Sequence, residues 1–339
     1  MKKTKISNIL YYAILCGTIL TVDNASASCG SSSCFLNAGS REGVFAPRQV
    51  LLDLSYQYIP QDKKLRGSTD TSEVLVPKID FENGEIEPEH HRELRTLNTL
   101  ARLDVIAGIT PRLTLAVELP FYNDRLHEHD DGISDAGHGT GQHGEFTNND
   151  GASGFGDVRV MARYAFHAST RHLFVVNGGT KFPTGEYKLR NGDGNINEPT
   201  IMPGTGSYDF FLGGYYRYQW QPGSLQSDIS LRYRMNTEND IDYRFGNTAT
   251  LNLGTNYRIA DKLVLSVQLN TRYSRRDKFK GQGVPSTGHT MIYLTPGVQI
   301  ESRDNISFYT HLQLPVYQHV NESNIVPSYG FIFGITRSL

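Results

Sequence analysis

Several features that define common protein classes are scarce in this sequence. Its 339 residues include 3 cysteines and 1 tryptophan, too few cysteines for a disulfide-stabilised scaffold. The formal net charge is −2, so no global charge points to nucleic acid as a partner. A mean hydropathy of −0.41 excludes a bundle of membrane helices. It does not exclude a transmembrane β-barrel, because only every second residue of a barrel strand faces lipid.

The N-terminus has the organisation of an export signal. Lys2, Lys3 and Lys5 precede residues 9–20, which are mostly apolar, and Ala-Ser-Ala follows at residues 25–27. A basic start, a short apolar run and a small-residue cleavage site are the parts of a secretory signal peptide. The apolar run is too short for a membrane-spanning helix. We therefore expect residues 1–27 to be a signal peptide.

The cysteines that remain after cleavage lie close together. Removal of the signal peptide takes away Cys16 and leaves Cys29 and Cys34 in residues 28–47, an expected periplasmic segment. In an exported chain, this spacing favours a small disulfide loop between them. A lipid-modified Cys29 is an alternative, although Ser26 stands where such sites prefer leucine. A redox or metal-binding pair of cysteines is a further alternative.

Residues 208–236 show the pattern that explains most of the chain. Two long arms flank a turn formed by Gln221-Pro222-Gly223-Ser224, and within each arm apolar and polar side chains alternate. The apolar face has aromatic residues at both ends, and the polar face carries Arg and Asp at mid-strand. The apolar face of the first arm consists largely of Tyr208, Phe210, Leu212, Tyr216, Tyr218 and Trp220. The pattern predicts one hairpin of a transmembrane β-barrel.

The same alternation recurs from residue 48 to residue 339 and gives about twelve strands. Short connections alternate with long polar ones along the whole of this region. We therefore predict an all-β fold: a single antiparallel up-and-down barrel over residues 48–339, with short periplasmic turns and long extracellular loops. The expected long loops are residues 59–91, 122–154, 183–206, 237–246, 274–287 and 317–327.

The last strand supports a location in the bacterial outer membrane. Residues 328–339 place Tyr329, Phe331 and Phe333 on one face, which resembles the C-terminal signal by which outer-membrane barrels are recognised for insertion. The chain departs from that signal because it ends in Leu339 instead of an aromatic residue. We expect outer-membrane lipid and the barrel-assembly machinery as partners, and no nucleic acid.

Charged residues on the polar strand faces are candidates for contact with a solute. At mid-membrane each would cost roughly 2–4 kcal/mol if it faced lipid, so we expect these side chains to face the lumen. The basic patch expected to contact solute is Arg232 and Arg234, with Arg217 beside them. The alternative is a network of arginine–carboxylate pairs that only fills the barrel. The candidates are Arg159, Arg163, Lys181, Asp209, Arg217, Arg232 and Arg234.

The long loop after the third predicted strand is rich in His and Asp. Histidines at short spacing beside carboxylates can bind a divalent transition metal. The candidate ligands are His127, His129, His138 and His143, and His90 and His91 of the first long loop are further candidates. No recognised ligand spacing is present, and a solvated external loop is the simpler interpretation.

An enzyme is a third interpretation, because some twelve-stranded barrels hydrolyse lipids. That reaction needs a Ser nucleophile and a His base within hydrogen-bonding distance, on the lipid-facing wall near the outer rim. No Ser and His two residues apart occupy a lipid-facing strand end, and His311 is predicted to point inward. We therefore expect no catalytic residues and no cofactor.

Two short motifs carry a family resemblance. Residues 178–185 read Gly-Gly-Thr-Lys-Phe-Pro-Thr-Gly, and residues 203–209 read Pro-Gly-Thr-Gly-Ser-Tyr-Asp. Together they resemble the MetA-pathway of phenol degradation family, in which the first motif ends one strand and the second opens the next. The resemblance implies an outer-membrane transporter of small, often aromatic or hydrophobic compounds. Lys181 and Asp209 would face inward on adjacent strands and pair, unless the motif is a folding device.

The leading hypothesis is a channel that passes small solutes, aromatic or hydrophobic ones included, by passive diffusion. The alternative is a surface binding barrel whose His- and Asp-rich external loop captures a metal ion or a partner. A continuous wet lumen would favour the channel, and a lumen filled by ion pairs would favour the binding barrel.

Overall fold

The computed structural model describes residues 42–122, 125–130, 151–190, 194–302 and 305–339, and these ranges form an all-β molecule. The strands in these ranges are β1 (Val50–Arg66), β2 (Thr69–Asp70), β3 (Leu75–Asp80), β4 (Glu85–Gly108), β5 (Leu113–Tyr122), β6 (Leu126–Asp130), β7 (Gly154–Phe155), β8 (Arg159–Ala168), β9 (His172–Lys181), β10 (Asp209–Gln221), β11 (Leu225–Asn236), β12 (Tyr243–Arg244), β13 (Thr248–Ala260), β14 (Leu263–Ser274), β15 (Lys278–Phe279), β16 (Gln282–Gly283), β17 (His289–Glu301), β18 (Ile306–Val320), β19 (Ser323–Pro327) and β20 (Gly330–Ser338).

Twelve of these strands close into one antiparallel barrel, and β1 joins the ring by pairing with both β4 and β20. The wall runs β1, β4, β5, β8, β9, β10, β11, β13, β14, β17, β18, β20. The two ends of the barrel meet at the short-turn rim: the Val50 N–H donates to the Leu339 carbonyl at 3.3 Å and the Leu339 N–H to the Val50 carbonyl at 2.8 Å. The predicted twelve-stranded up-and-down barrel is confirmed.

The barrel is apolar outside and polar inside, because successive strand residues point to opposite faces. In the β10–β11 hairpin, Leu212 is 66% exposed and Leu231 is 56% exposed on the outer wall. Asp209, Asp228 and Arg234, on the opposite faces of the same strands, are buried. Apolar side chains outside and charged side chains inside are what a wall between lipid and a polar lumen requires. Among the described residues, no helix is long and apolar enough to cross a membrane.

Five of the six predicted long loops contain strands: β6 lies within residues 122–154, β12 within 237–246, and β15 and β16 within 274–287, and the other two are more regular still. The loop predicted at residues 59–91 is largely strand, because β1 continues to Arg66, β4 begins at Glu85 and β3 pairs with β4. The loop predicted at residues 317–327 contains β19, which pairs with the extension of β1. Both predictions of irregular loops are therefore wrong. The apolar residues of these strands do not alternate with polar ones: in β19, Ile325 and Val326 are adjacent and both are buried. Hydrophobic periodicity therefore does not detect these strands.

The predicted signal peptide, and Cys29 and Cys34 with it, lie outside the described residues. The disulfide and the residue 27 boundary stay predictions. Residues 42–46 are described, and they enter the barrel from the short-turn rim.

Candidate functional site

The two family motifs meet in a buried network of charges in the lumen. Lys181 ends β9 and Asp209 begins β10, and the two residues face each other in the register of these strands. The Lys181 Nζ lies 2.9 Å from Asp209 Oδ2 and 2.8 Å from Asp157 Oδ2. Arg234 completes the network by donating from Nε to Asp209 Oδ2 at 2.9 Å. Lys181 and Asp209 therefore face inward and pair, as their place in the motif predicts.

Asp157, which sequence analysis did not assign to a site, ties the two motifs together. Its Oδ1 accepts the Gly185 N–H at 3.0 Å, and its Oδ2 accepts the Thr205 N–H at 3.0 Å. The Thr205 hydroxyl also donates to Asp157 Oδ2 at 2.8 Å and contacts the Lys181 amine. One carboxylate thus fixes both ends of the segment between the motifs. The motifs gave no signal for Asp157, since it belongs to neither of them.

The motif glycines permit a close approach of backbone. A Cβ on Gly204 would collide with the backbone of Gly185, so the two motifs touch main chain to main chain. Gly206 adopts φ 69°, a left-handed conformation that glycine reaches without a steric penalty. As a result the segment between the motifs turns back over the lumen, and Ile201 and Met202 within it are each 2% exposed.

The arginines predicted to contact solute are in most cases already paired. Arg232 lies 2.7 Å from Glu42 Oε1, and Arg159 lies 3.1 Å from Glu118 Oε2. Arg163 is buried, and Arg217 stands opposite Asp228 in the β10–β11 register. Arg232 and Arg234 therefore do not form an open basic patch here. Their contact with solute stays a prediction, and the geometry favours the alternative of a filling network.

The segment before β1 occupies the inner half of the lumen. Its Phe45 N–H donates to the Thr114 hydroxyl at 2.8 Å, and the ring packs on a cluster that contains Ile106 and Phe211. Val44 packs on a second cluster, which contains Tyr215. Together with the ion pair of Glu42 on Arg232, these contacts plug the barrel from the short-turn side.

A cavity is present on each side of this plugged layer. The outer one, of about 130 Å³, lies under the external strands and loops. The inner one, of about 370 Å³, opens near the β10–β11 turn at the short-turn rim. The outer cavity combines apolar residues with a group of histidines and carboxylates; its apolar lining includes Val76, Ile79, Phe81, Ile201, Tyr243, Val284 and Ile325.

The histidines and carboxylates of the outer cavity form a compact cluster. His91 and Glu93 come from the outer part of β4, His127 from β6 and Glu198 from the segment between the motifs. The His91 Nε2 lies 3.0 Å from Glu198 Oε1 and 3.4 Å from Glu93 Oε1. The His127 Nδ1 lies 3.7 Å from Glu93 Oε2 and 2.9 Å from the Thr96 hydroxyl. Three separate parts of the chain thus converge on one point.

Charge within this cluster shifts the proton affinity of two members. Burial alone would lower the pKa of His91, but its contacts with Glu198 and Glu93 raise that pKa to about 10. Burial would raise the pKa of Glu198, but His91 opposes it and lowers the pKa of Glu198 to about 2. Without a bound ion, a protonated His91 therefore bridges two carboxylates.

The predicted metal ligands are brought together only in part. His127 belongs to the cluster, and the His129 ring lies 5.0 Å from the His91 ring and 5.1 Å from the His127 ring. His138 and His143 lie outside the described residues. Glu93 and Glu198 were missed. A signal existed for Glu93, which is two residues from His91 and so shares its strand face; none existed for Glu198.

A Ser–His contact does exist at the external rim, although sequence spacing did not reveal it. The Ser68 hydroxyl lies 2.9 Å from His319 Nδ1, and the two residues are 251 positions apart. Within the described ranges, neither a hydrogen bond nor an ion pair joins His319 to a carboxylate that would orient it. The pair thus lacks the third member of a hydrolytic triad. His311 is buried in the barrel, as predicted.

Comparison with solved structures finds outer-membrane barrels. An outer membrane channel from Pseudomonas putida F1 matches with a TM-score of 0.61 and 13% identity, over 90% of this chain and 100% of that chain. The toluene transporter TbuX of Ralstonia pickettii matches with a TM-score of 0.42 and 10% identity, over 93% of this chain and 95% of that chain. At these identities the first match shows the fold alone. A comparison with curated protein sequences found no match.

A family model matches residues 104–333, a range that contains both motifs and most of the barrel wall. The model carries the description "Putative MetA-pathway of phenol degradation". The location in the bacterial outer membrane agrees with the barrel, its apolar outer face and the structural matches. This chain is an outer-membrane β-barrel that belongs to the MetA-pathway of phenol degradation family.

Proposed function

We propose that the barrel is a channel that passes small aromatic or other apolar solutes by passive diffusion. One observation carries the proposal: part of the wall of the outer cavity consists of apolar side chains, beside the histidines and carboxylates, whereas the lumen beneath it is lined mainly by polar and charged residues. Its volume of about 130 Å³ is close to that of apolar cavities, roughly 150 Å³, that accept benzene in other proteins. A cavity of this kind concentrates phenol-sized compounds at the external mouth.

We further propose that residues 42–46 act as the gate between the two cavities. The segment is held by the Arg232–Glu42 ion pair, by the hydrogen bond from the Phe45 N–H to Thr114, and by the packing of Val44 and Phe45 on two hydrophobic clusters. Water can replace the two polar contacts when the segment moves toward the periplasm. Its withdrawal would join the outer and inner cavities into one path.

Single-channel recording tests the gate. The refolded mature chain, residues 28–339, is inserted into a planar bilayer beside an Arg232→Gln variant, which breaks the ion pair with Glu42. We expect ohmic steps from both proteins and a higher open probability from the variant. Arg95→Gln is the matched control, because Arg95 pairs with Glu128 outside the lumen and is 56% exposed. Silence from all three proteins, where a reference porin conducts, would overturn the proposal.

Block of the current by phenol tests the solute class. We expect phenol to reduce the current in a saturable way by occupying the outer cavity. Ile201→Trp fills that cavity and should weaken the block. Leu231→Trp, on the lipid-facing wall, adds a ring of the same size and should leave the block unchanged. Equal block in both variants would remove the outer cavity from the path.

A surface binding barrel is the second candidate function. The specific observation in its favour is the cluster of His91, Glu93, His127 and Glu198, together with a lumen that ion pairs and residues 42–46 fill.

A further inference from the structure

We propose that His91, Glu93, His127 and Glu198 form a binding site for one divalent transition-metal ion, with zinc as the probe. Each residue offers one ligand atom, and these four atoms all lie within 4.8 Å of one another. Two imidazoles and two carboxylates are a donor set that zinc and its neighbours accept. The site is independent of whether the barrel conducts.

Two of the distances already suit a metal site. Bonds of about 2.0–2.2 Å from zinc to nitrogen or oxygen place tetrahedral ligand atoms roughly 3.3 Å apart. The His91 Nε2 lies 3.0 Å from Glu198 Oε1 and 3.4 Å from Glu93 Oε1. These two separations are within a few tenths of an ångström of the tetrahedral value, and side-chain rotation must bring the ligand atom of His127 closer from within the 4.8 Å that encloses the cluster.

Unsatisfied polar atoms give independent support. Nε2 of His127 and Oε2 of Glu93 are buried, and within the described part of the chain neither has a hydrogen bond. These two residues are 2% and 4% exposed. Buried polar atoms without hydrogen bonds are costly, and a bound ion would account for both of them at once.

The surroundings hold the ligands in place. The Thr96 hydroxyl is 2.9 Å from His127 Nδ1 and fixes the orientation of that ring. His91 and Glu93 stand on the paired β4 extension, so their side chains share one face. Glu198 belongs to the segment that Asp157 anchors through Gly185 and Thr205. The ligands therefore come from paired strands and from an anchored segment, which limits their freedom before an ion arrives.

The charges also match. The two carboxylates bring two negative charges, and a divalent ion held by them and by two neutral imidazoles leaves no net charge. The ion would join Glu198 to the β4–β6 wall. All four ligands line the outer cavity, so the ion would lie in the wall of that cavity.

Isothermal titration of the refolded, detergent-solubilised mature chain with Zn²⁺ tests the site. We expect one ion per chain, with Mg²⁺ and Ca²⁺ failing to compete because both prefer sites made wholly of oxygen ligands. Loss of a partner that only orients a ligand lowers metal affinity by about 10–100-fold, and loss of a ligand should cost at least as much. His127→Ala and Glu198→Gln should therefore each weaken binding at least about 100-fold.

Two controls separate this site from other histidines. His319→Ala removes an external histidine outside the cluster and should not change zinc affinity. A His138→Ala/His143→Ala double variant should also keep full affinity. Heat-modifiable migration verifies folding of every variant, and Glu198→Gln keeps the shape of a residue whose side chain is 30% exposed. Full affinity in folded His127→Ala and Glu198→Gln, or its loss in the double variant, would overturn the proposal.

Discussion

Two buried clusters of charge in this barrel differ in how their charges are balanced. In the lumen, the cations of Lys181 and Arg234 meet the carboxylates of Asp157 and Asp209 directly. At the external mouth, Glu93 and Glu198 meet imidazoles and leave buried atoms without hydrogen bonds. In the first cluster each cation contacts a carboxylate, and these contacts hold the two family motifs together. The second is a set of ligand atoms that a metal ion would complete.

A charged residue in a family motif is not necessarily one that binds a ligand. Lys181 and Asp209 stand in recognisable motifs, yet they bind each other and are fully buried. Glu198 stands in no motif, yet it reaches the cluster because the motifs hold its segment. A motif can thus mark the part of the protein that positions a site, while the site itself lies elsewhere.

The largest expected effect comes from breaking the lumen network. Asp209→Ala leaves Lys181 and Arg234 buried with one carboxylate fewer, and breaking a buried pair typically costs about 3–5 kcal/mol. We expect a loss of this size in the free energy of unfolding, measured by urea titration of the refolded barrel. A loss below about 1 kcal/mol would mean that water enters the network and hydrates the two cations.

Asp277 offers a third case, a buried carboxylate outside the membrane whose partners are neutral. It accepts hydrogen bonds from the Tyr243 hydroxyl and the Gly246 N–H, each at 2.7 Å. Within the described ranges, no cationic side chain forms an ion pair with it. Burial raises the pKa of Asp277 from 3.8 to about 6, although these hydrogen bonds and the more distant Arg234 and Arg272 act against the shift.

The folded state therefore holds a proton on Asp277 more tightly than the unfolded state does. Between about pH 4 and pH 6 the folded state binds more protons, so stability should fall as the pH rises, by roughly 3 kcal/mol at most. Unfolding curves across this range measure the slope. Asp277→Asn removes the titrating group but keeps an oxygen for the Gly246 N–H, and its amide N–H can donate to the Tyr243 hydroxyl. This variant should lose the corresponding part of the slope; an unchanged slope would mean that other groups cause it.

A smaller effect should mark the external cluster. A ligand that binds the folded state alone, at ten times its dissociation constant, stabilises that state by about 1.4 kcal/mol. Zinc should therefore raise the unfolding free energy of the parent chain by this amount and should not do so for His127→Ala. An equal gain in His127→Ala would mean that zinc acts at another place on the barrel.

The smallest effect is expected where charges pair in contact with water. Arg258 and Glu301 pair at 2.7 Å near the short-turn rim, and their side chains are 33% and 32% exposed. Such pairs contribute about 1 kcal/mol or less. Glu301→Ala should therefore change the urea midpoint far less than Asp209→Ala, and it should keep the full gain from zinc. A loss as large as that of Asp209→Ala would show that burial does not separate the two classes of pair.

Much of the wall could be predicted from local patterns. The alternation in residues 208–236 predicts both strands, their turn and the lipid-facing set that includes Leu212 and Leu231, because a strand has a side-chain period of two. The same reasoning failed for β3 and β19, which pair outside the membrane and whose apolar residues, such as Ile325 and Val326, do not alternate with polar ones.

The candidate site was less accessible from sequence. His127 was found because histidines are dense around it, and His91 only as a further candidate. Glu198 is 71 residues beyond His127, and nothing local to it predicts the contact with His91. The Ser68–His319 contact was missed for the same reason, since it spans 251 positions. Residues far apart along the chain meet only once the barrel has closed.

The sequence by itself determined the class of the molecule: twelve alternating strands, an apolar outer face, and the motifs that identify the family. These properties are periodic or local, so one stretch of chain suffices to display them. Only the tertiary structure decided which charges are neutralised in the lumen, that residues 42–46 fill it, and which four side chains converge at the mouth. Those outcomes depend on the register in which twelve strands close and on the direction in which their loops fold, and both are set by long-range packing.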